Sequence, residues 1–172
     1  FGGGAVLRAQ GLGREQMRQR GAKRLGHRIG AGQAIAQRGY EELTPVQSAV
    51  IAEQARGRDL LVSAQTGSGK TVAFGLAMAE NLLGATDALP TPARPLALVI
   101  APTRELALQV AKELAWLYAP ARGRIATCVG GMNQQVERRS LSAGTHIVVG
   151  TPGRLRDHLE RGGANFVYRI EM

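Results

Sequence analysis

Between an apolar run and a long apolar-rich segment lie eight residues, Ala64-Gln65-Thr66-Gly67-Ser68-Gly69-Lys70-Thr71. The run before them, Leu60-Leu61-Val62-Ser63, reads as a strand ending at Ala64, and the segment from Lys70 to Leu83 reads as a helix. A strand handing over to a helix through glycines restricts the fold more than any other feature of the chain. Gly67 and Gly69 let backbone N–H groups turn inward around an anion with no Cβ in the way. The helix N-terminus adds the positive end of its dipole at the same spot. Lys70 supplies a mobile charge for β- and γ-phosphates, and the Thr71 hydroxyl supplies a Mg²⁺ ligand. The pattern is a P-loop with Ala64 in place of its first glycine. The plain alternative is an ordinary strand-to-helix turn; the context favours a nucleoside triphosphate.

The remaining pattern alternates strands with helices. Thr44-Pro45 starts a helix, threonine as N-cap and proline at the first helical position. It carries Val46, Val50, Ile51 and Ala55 on one face and stops at Gly57. Gly84 ends the helix after the P-loop, and Pro90, Pro92 and Pro95 mark a loop. Leu96 to Ile100 is continuously apolar, as expected of a strand buried on both faces. Pro102-Thr103 opens a helix whose stripe is Leu106, Val110, Leu114 and Leu117. Arg124 to Val129 reads as a strand closed by Gly130-Gly131, followed by a short helix over Asn133 to Leu141. His146 to Val149 is the last strand, and Thr151-Pro152 caps a helix over Gly153 to Glu160. This order predicts an α/β fold with a parallel sheet and crossover helices.

In such sheets ligands bind beyond the carboxyl ends of the strands. Ala64 to Thr71, Pro102-Thr103-Arg104, Gly130-Gly131 and Thr151-Pro152-Gly153-Arg154 all follow strands, so the four loops are expected on one rim. Two of them share a design, with a threonine hydroxyl, free amides and an arginine at a helix N-terminus. That suits sugar and phosphate contacts better than base reading. Helix capping accounts for each alone; their coincidence with a P-loop favours function.

The net charge of +9 is unevenly spread. Residues 1–39 hold eight basic groups against Glu15, which leaves 14 basic and 12 acidic groups for the rest. A basic leader over residues 1–32, rich in Gly, Arg and Gln, is expected to be poorly ordered. It reads equally as a non-specific phosphate-binding arm or as a solvated lead-in. A single cysteine, Cys128, and three scattered histidines, His27, His146 and His158, give no disulfide and no metal-ligand spacing. With no secretory leader and no membrane-length apolar run, a reducing, cytoplasmic location is expected.

Five stretches in this order and spacing, over Gly39 to Gly162, resemble the first RecA-like domain of a DEAD-box RNA helicase. Gly39 to Gln47 (G-Y-E-E-L-T-P-V-Q) is similar to the Q motif and Ala64 to Thr71 to motif I, which in this family normally begins with alanine. Pro102 to Leu106 is similar to motif Ia, Gly130-Gly131 to the glycine doublet, and Thr151 to Arg154 to motif Ib. The resemblance implies a RecA-like P-loop NTPase domain over residues 33–172, incomplete at its C-terminus, with ATP and Mg²⁺ as ligands. It implies that Gln47 reads adenine through a bidentate amide contact, with Tyr40 and Thr44 shaping the pocket. It implies that Ala64, Gln65, Thr66, Gly67, Ser68, Gly69, Lys70 and Thr71 hold phosphates and Mg²⁺. Pro102, Thr103, Arg104, Gly130, Gly131, Thr151, Pro152, Gly153 and Arg154 are implied to grip one RNA strand without sequence preference.

The departures also shape the expectation. The family usually places an aromatic ring on adenine at the position of Ala22. The D-E-A-D motif, expected roughly twenty residues past motif Ib, is not met before Met172, nor are the S-A-T motif and the second domain with its arginine finger. The reading is therefore a member of the ATP-dependent RNA helicase family whose 172 residues bind ATP and RNA without efficient hydrolysis. The alternatives are a non-catalytic ATP- and RNA-binding module or another superfamily 2 helicase; the setting of Gln47 argues against the latter. An open sheet edge and bare apolar surface are expected to make the isolated chain marginal.

Overall fold

The structure is a computed structural model that describes residues 5–8, 34–35, 38, 42–52, 55, 57–84 and 86–161. Tyr40, Ala22, most of the basic leader and the stretch after Arg161 lie outside the described residues. The chain divides into two compact units, Phe1–Asp87 and Ala88–Met172.

The first unit holds β1 (Ala5–Arg8), α1 (Pro45–Val50), β2 (Leu60–Ser63) and α2 (Lys70–Leu83). β1 pairs with β2 in parallel, Ala5 opposite Leu60 and Arg8 opposite Ser63. No strand is expected in the first 32 residues from the sequence pattern; Ala-Val-Leu between glycines and arginines is too short to show a period. α1 starts where the Thr-Pro pair predicts. Thr44 Oγ1 accepts the Gln47 N–H at 3.4 Å and Gln47 Oε1 accepts the Thr44 N–H at 3.0 Å, a reciprocal capping box. The helix is shorter than predicted, ending at Val50 with Ile51 as C-cap, so Ala55 lies past it. α1 packs against α2.

The second unit holds β3 (Ala97–Ile100), α3 (Arg104–Leu117), β4 (Ile125–Cys128), α4 (Gln134–Ser142), β5 (Ile147–Gly150) and α5 (Pro152–Arg161). Its sheet is parallel, in the order β3-β5-β4. Ile100, Gly150 and Cys128 stand in register at the carboxyl end. β5, in the middle, is buried along its whole length. α3 lies on β4 and β5, and α4 lies on β4. Ala126, Cys128, Leu141, Val148 and Leu155 form the core between strands and helices.

Two predictions need correction here. β3 is not buried on both faces: among the described residues it borders only β5, its exposure alternates along the strand, and Ile100 is 60% exposed. Three of the four residues of the predicted α3 stripe are buried and the fourth, Leu106, is not. Ala107, Val110, Ala111, Leu114 and Leu117 are buried, whereas Leu106 is 40% exposed. Two alanines on the inner face allow close approach to the strands, and hydropathy alone ranks them below leucine.

At the amino end of this sheet His146 has a structural role. Its Nδ1 accepts the Arg124 N–H at 2.9 Å, and Nε2 lies 2.8 Å from the Pro90 carbonyl. A donor on one nitrogen and an acceptor on the other select the tautomer protonated at Nε2. Among the described residues no helix is long and apolar enough to cross a membrane.

These burials separate two substitutions. Leu114→Ala, at a fully buried position, is expected to cost about 2–5 kcal/mol in urea denaturation. Ile100→Thr is expected to stay within about 0.5 kcal/mol of the unsubstituted chain.

Candidate functional site

The glycine loop of the first unit leaves β2 at Ser63 and ends at Gly69, the residue before α2. Gly67 and Gly69 have φ of 81° and 84°, left-handed values that side chains with a Cβ rarely adopt. A Cβ at Gly69 would also stand 2.5 Å from Gln47 Nε2, so that the Gln47 amide would have to move aside. The Lys70 ammonium folds over the loop and donates to the carbonyls of Ala64 at 2.6 Å and Gln65 at 2.7 Å. Ser68 Oγ is buried without a hydrogen-bond partner. An orphaned hydroxyl, a lysine and the start of a 14-residue helix converge on the loop. That donor set fits a phosphate group. Thr71 follows in the first turn of α2.

Gln47 is nearly buried and is attached to this loop. Its Nε2 donates to the Gly69 carbonyl at 3.4 Å, while its Oε1 takes the Thr44 N–H. A primary amide offers two donors and two lone pairs. One donor and one lone pair of the Gln47 carboxamide therefore remain.

In the second unit the remaining predicted residues come together at the flush carboxyl end of the sheet. Thr103 caps α3 by accepting the Leu106 N–H at 3.2 Å, and Thr151 donates its N–H to Cys128 O at 3.0 Å. Pro102, Pro152 and Gly153 are exposed. The loop between β4 and α4 is held from both sides by arginines. Arg104 Nη1 donates to the Gly130 carbonyl at 3.2 Å. Arg154 donates from Nε to Val129 O at 3.3 Å and from Nη2 to Met132 O at 2.7 Å. Gly131, with φ of 77°, lies so close under Arg104 Nη1 that a Cβ would collide with it.

Behind that loop are two residues that the sequence pattern did not single out. Glu137 is 4% exposed on the inner face of α4. Its Oε1 accepts the Val129 N–H at 3.0 Å; its Oε2 lies 2.6 Å from His158 Nε2 and 3.3 Å from Arg154 Nε. A usable signal was present. Glu137 stands four residues before the core Leu141, and Arg154 four before His158, so helical spacing turns each pair to one side. Cys128, Glu137 and His158 bring their ligand atoms within 4.8 Å of one another. Arg154 already occupies the cationic role beside this carboxylate, and burial, then the Glu137 charge, push the Cys128 thiol up to about 12 against the opposing pull of Arg154. The cluster is an ion-pair network, in which Glu137 is matched by Arg154 and hydrogen-bonded to His158.

The family profile of the DEAD/DEAH box helicases matches residues 44–171. This chain belongs to that family. The helicase-family sequence is 47% identical to the ATP-dependent RNA helicase DeaD of Escherichia coli K12 over 131 residues, 76% of this chain and 20% of DeaD. It is 42% identical to the DEAD-box ATP-dependent RNA helicase CshA of Geobacillus kaustophilus over 129 residues, 75% of this chain and 26% of CshA. The chain thus spans about a fifth of the length of DeaD and about a quarter of that of CshA. Among solved structures, the yeast DEAD-box splicing factor Prp28 superposes with a TM-score of 0.67 at 34% identity, over 76% of this chain and 32% of Prp28. A hypothetical ATP-dependent RNA helicase of Sulfolobus tokodaii gives 0.64 at 33% identity, over 77% and 36%. The RecA-like α/β architecture expected from the DEAD-box motifs agrees with these neighbours.

The Cys128 thiol carries a pH signature. Folding raises it from its ordinary 9.0 to about 12, so between those values the unfolded chain holds fewer protons than the folded one. Stability is then unaffected by this group below pH 9 and falls as pH rises through the window. Iodoacetamide at pH 8.5 is expected to label Cys128 slowly in the native chain and fully in urea, as read by intact-mass spectrometry.

Proposed function

We propose that this chain binds ATP with Mg²⁺ in its first unit and a single RNA strand in its second, as part of an ATP-dependent RNA helicase. The observation that carries the reading is the bond from Gln47 to Gly69, which ties an amide with a remaining donor and lone pair to the glycine loop. Those two groups match the N6/N7 edge of adenine, the pairing that Asn and Gln make with adenine elsewhere. Thr44 holds the amide's orientation through its N–H. The loop amides from Gln65 to Gly69, the Ser68 hydroxyl and Lys70 bind and orient the phosphates. Lys70, now on two carbonyls, would turn to phosphate oxygens, and Thr71 would hold the cation through its hydroxyl. When bound, ATP supplies the phosphoanhydride whose hydrolysis drives duplex opening.

In the second unit, the loops at 102–104, 130–131 and 151–154 offer amides, hydroxyls and an arginine at one sheet end. Contacts of this kind track sugar and phosphate and leave the bases unread, which supports sequence-independent binding.

Lys70→Ala removes a charge-assisted contact worth about 1.5–3 kcal/mol, so nucleotide affinity should fall about ten- to a hundredfold by calorimetry. Gln47→Ala should erase the preference for ATP over GTP; equal affinity of the unsubstituted chain for the two nucleotides refutes the adenine reading.

A further inference from the structure

Motif Ib implies that Arg154 touches RNA, yet its guanidinium is directed inward. The side chain is 14% exposed, and its Nε and Nη2 are spent on Val129 O, Met132 O and Glu137. Arg104, by contrast, is exposed and donates through Nη1 to Gly130 O at 3.2 Å, leaving most of its fork available. The carbonyls of Val129, Gly130 and Met132 are therefore all held by arginines. In a planar trans peptide the N–H of the next residue points the opposite way from the carbonyl. Holding those three carbonyls turns the N–H groups of Gly130, Gly131 and Asn133 away from the guanidiniums. Among the described residues the N–H groups of Gly130 and Gly131 have no acceptor. Successive amides presented in this way make an anion-binding edge.

What keeps Arg154 in place is the buried carboxylate behind it. Glu137 Oε2 faces Arg154 Nε, and Oε1 takes the Val129 N–H, so one side chain fixes both the clamp and the root of the loop. His158, 1% exposed and 2.6 Å from Oε2, prevents the carboxylate from swinging away.

We propose that Glu137 is a positioning residue of the strand-binding edge: it holds Arg154 on the Val129 and Met132 carbonyls, so that the loop amides rather than Arg154 meet phosphate. The inference rests on the RNA-binding reading above and deepens it. Arg104 remains a direct phosphate contact; Arg154 acts through the loop.

The test is a salt titration of binding to a fluorescent single-stranded oligouridylate, read by anisotropy, on the full chain. Glu137→Gln and Arg154→Gln should each weaken binding about tenfold, with the slope of log affinity against log salt unchanged. Arg104→Gln should lower that slope by about one. A drop of about one in the slope of Arg154→Gln, or unaltered affinity in Glu137→Gln, overturns the proposal. Arg154→Lys keeps the charge but loses the two-pronged geometry, and it decides the question if Glu137→Gln does not fold. It should weaken RNA binding at an unchanged slope, and wild-type affinity overturns the clamp. Amide hydrogen exchange by mass spectrometry separates this from failure of the RNA-binding reading. With no RNA present, residues 129–133 should exchange faster in Glu137→Gln and Arg154→Lys while α3 keeps its protection. Unchanged exchange in both refutes the clamp whether or not the chain binds RNA.

Discussion

The second unit depends on the burial of β5. A strand hidden on both faces must pair along both edges, because each unpaired backbone group away from water costs about as much as a lost hydrogen bond. β3 and β4 meet that demand in parallel and in the same register, Ile100 and Cys128 both level with Gly150. Three loops therefore leave the sheet from one level. Their proximity follows from hydrogen bonding deep in the sheet, and the chemistry of the edge is added on top of that geometry.

Charge at this edge is organised from within. Glu137 is a buried anion, and a buried anion persists only when it is paired and hydrogen-bonded. Arg154, His158 and the Val129 amide supply those partners from α5 and from the loop itself. The same field reaches Cys128, whose thiol is kept protonated by burial and by the carboxylate. One carboxylate thus links helix, loop and strand.

Most of the architecture was legible because period and punctuation agreed. The helix from Lys70 to Leu83 and the Thr44 N-cap stand where the sequence put them. The residues that were misread are ones whose state depends on neighbours. Ile100 reads as core by composition, but its exposure follows from β3 having a partner on one edge among the described strands. Leu106 gives way to Ala107 because closeness to a strand favours a small side chain. Gln47 and Arg154 were visible as motif residues. Their partners, Gly69, Val129, Met132 and Glu137, were not, since such contacts join positions up to 25 residues apart.

The strand order also divides the loss of chain freedom unequally. Ile125 and Ala97 both face Ile147, but the first is 22 residues away along the chain and the second 50. With a closure entropy that grows as the logarithm of loop length, joining β3 loses roughly 0.7 kcal/mol more than joining β4. The segment from β4 through α4 to α5 contains Glu137, the loop, Arg154 and His158. Arg104 alone arrives from across the longer span. The inner half of the clamp is thus a local structure of the chain, and the outer half is the part that topology makes more expensive to close.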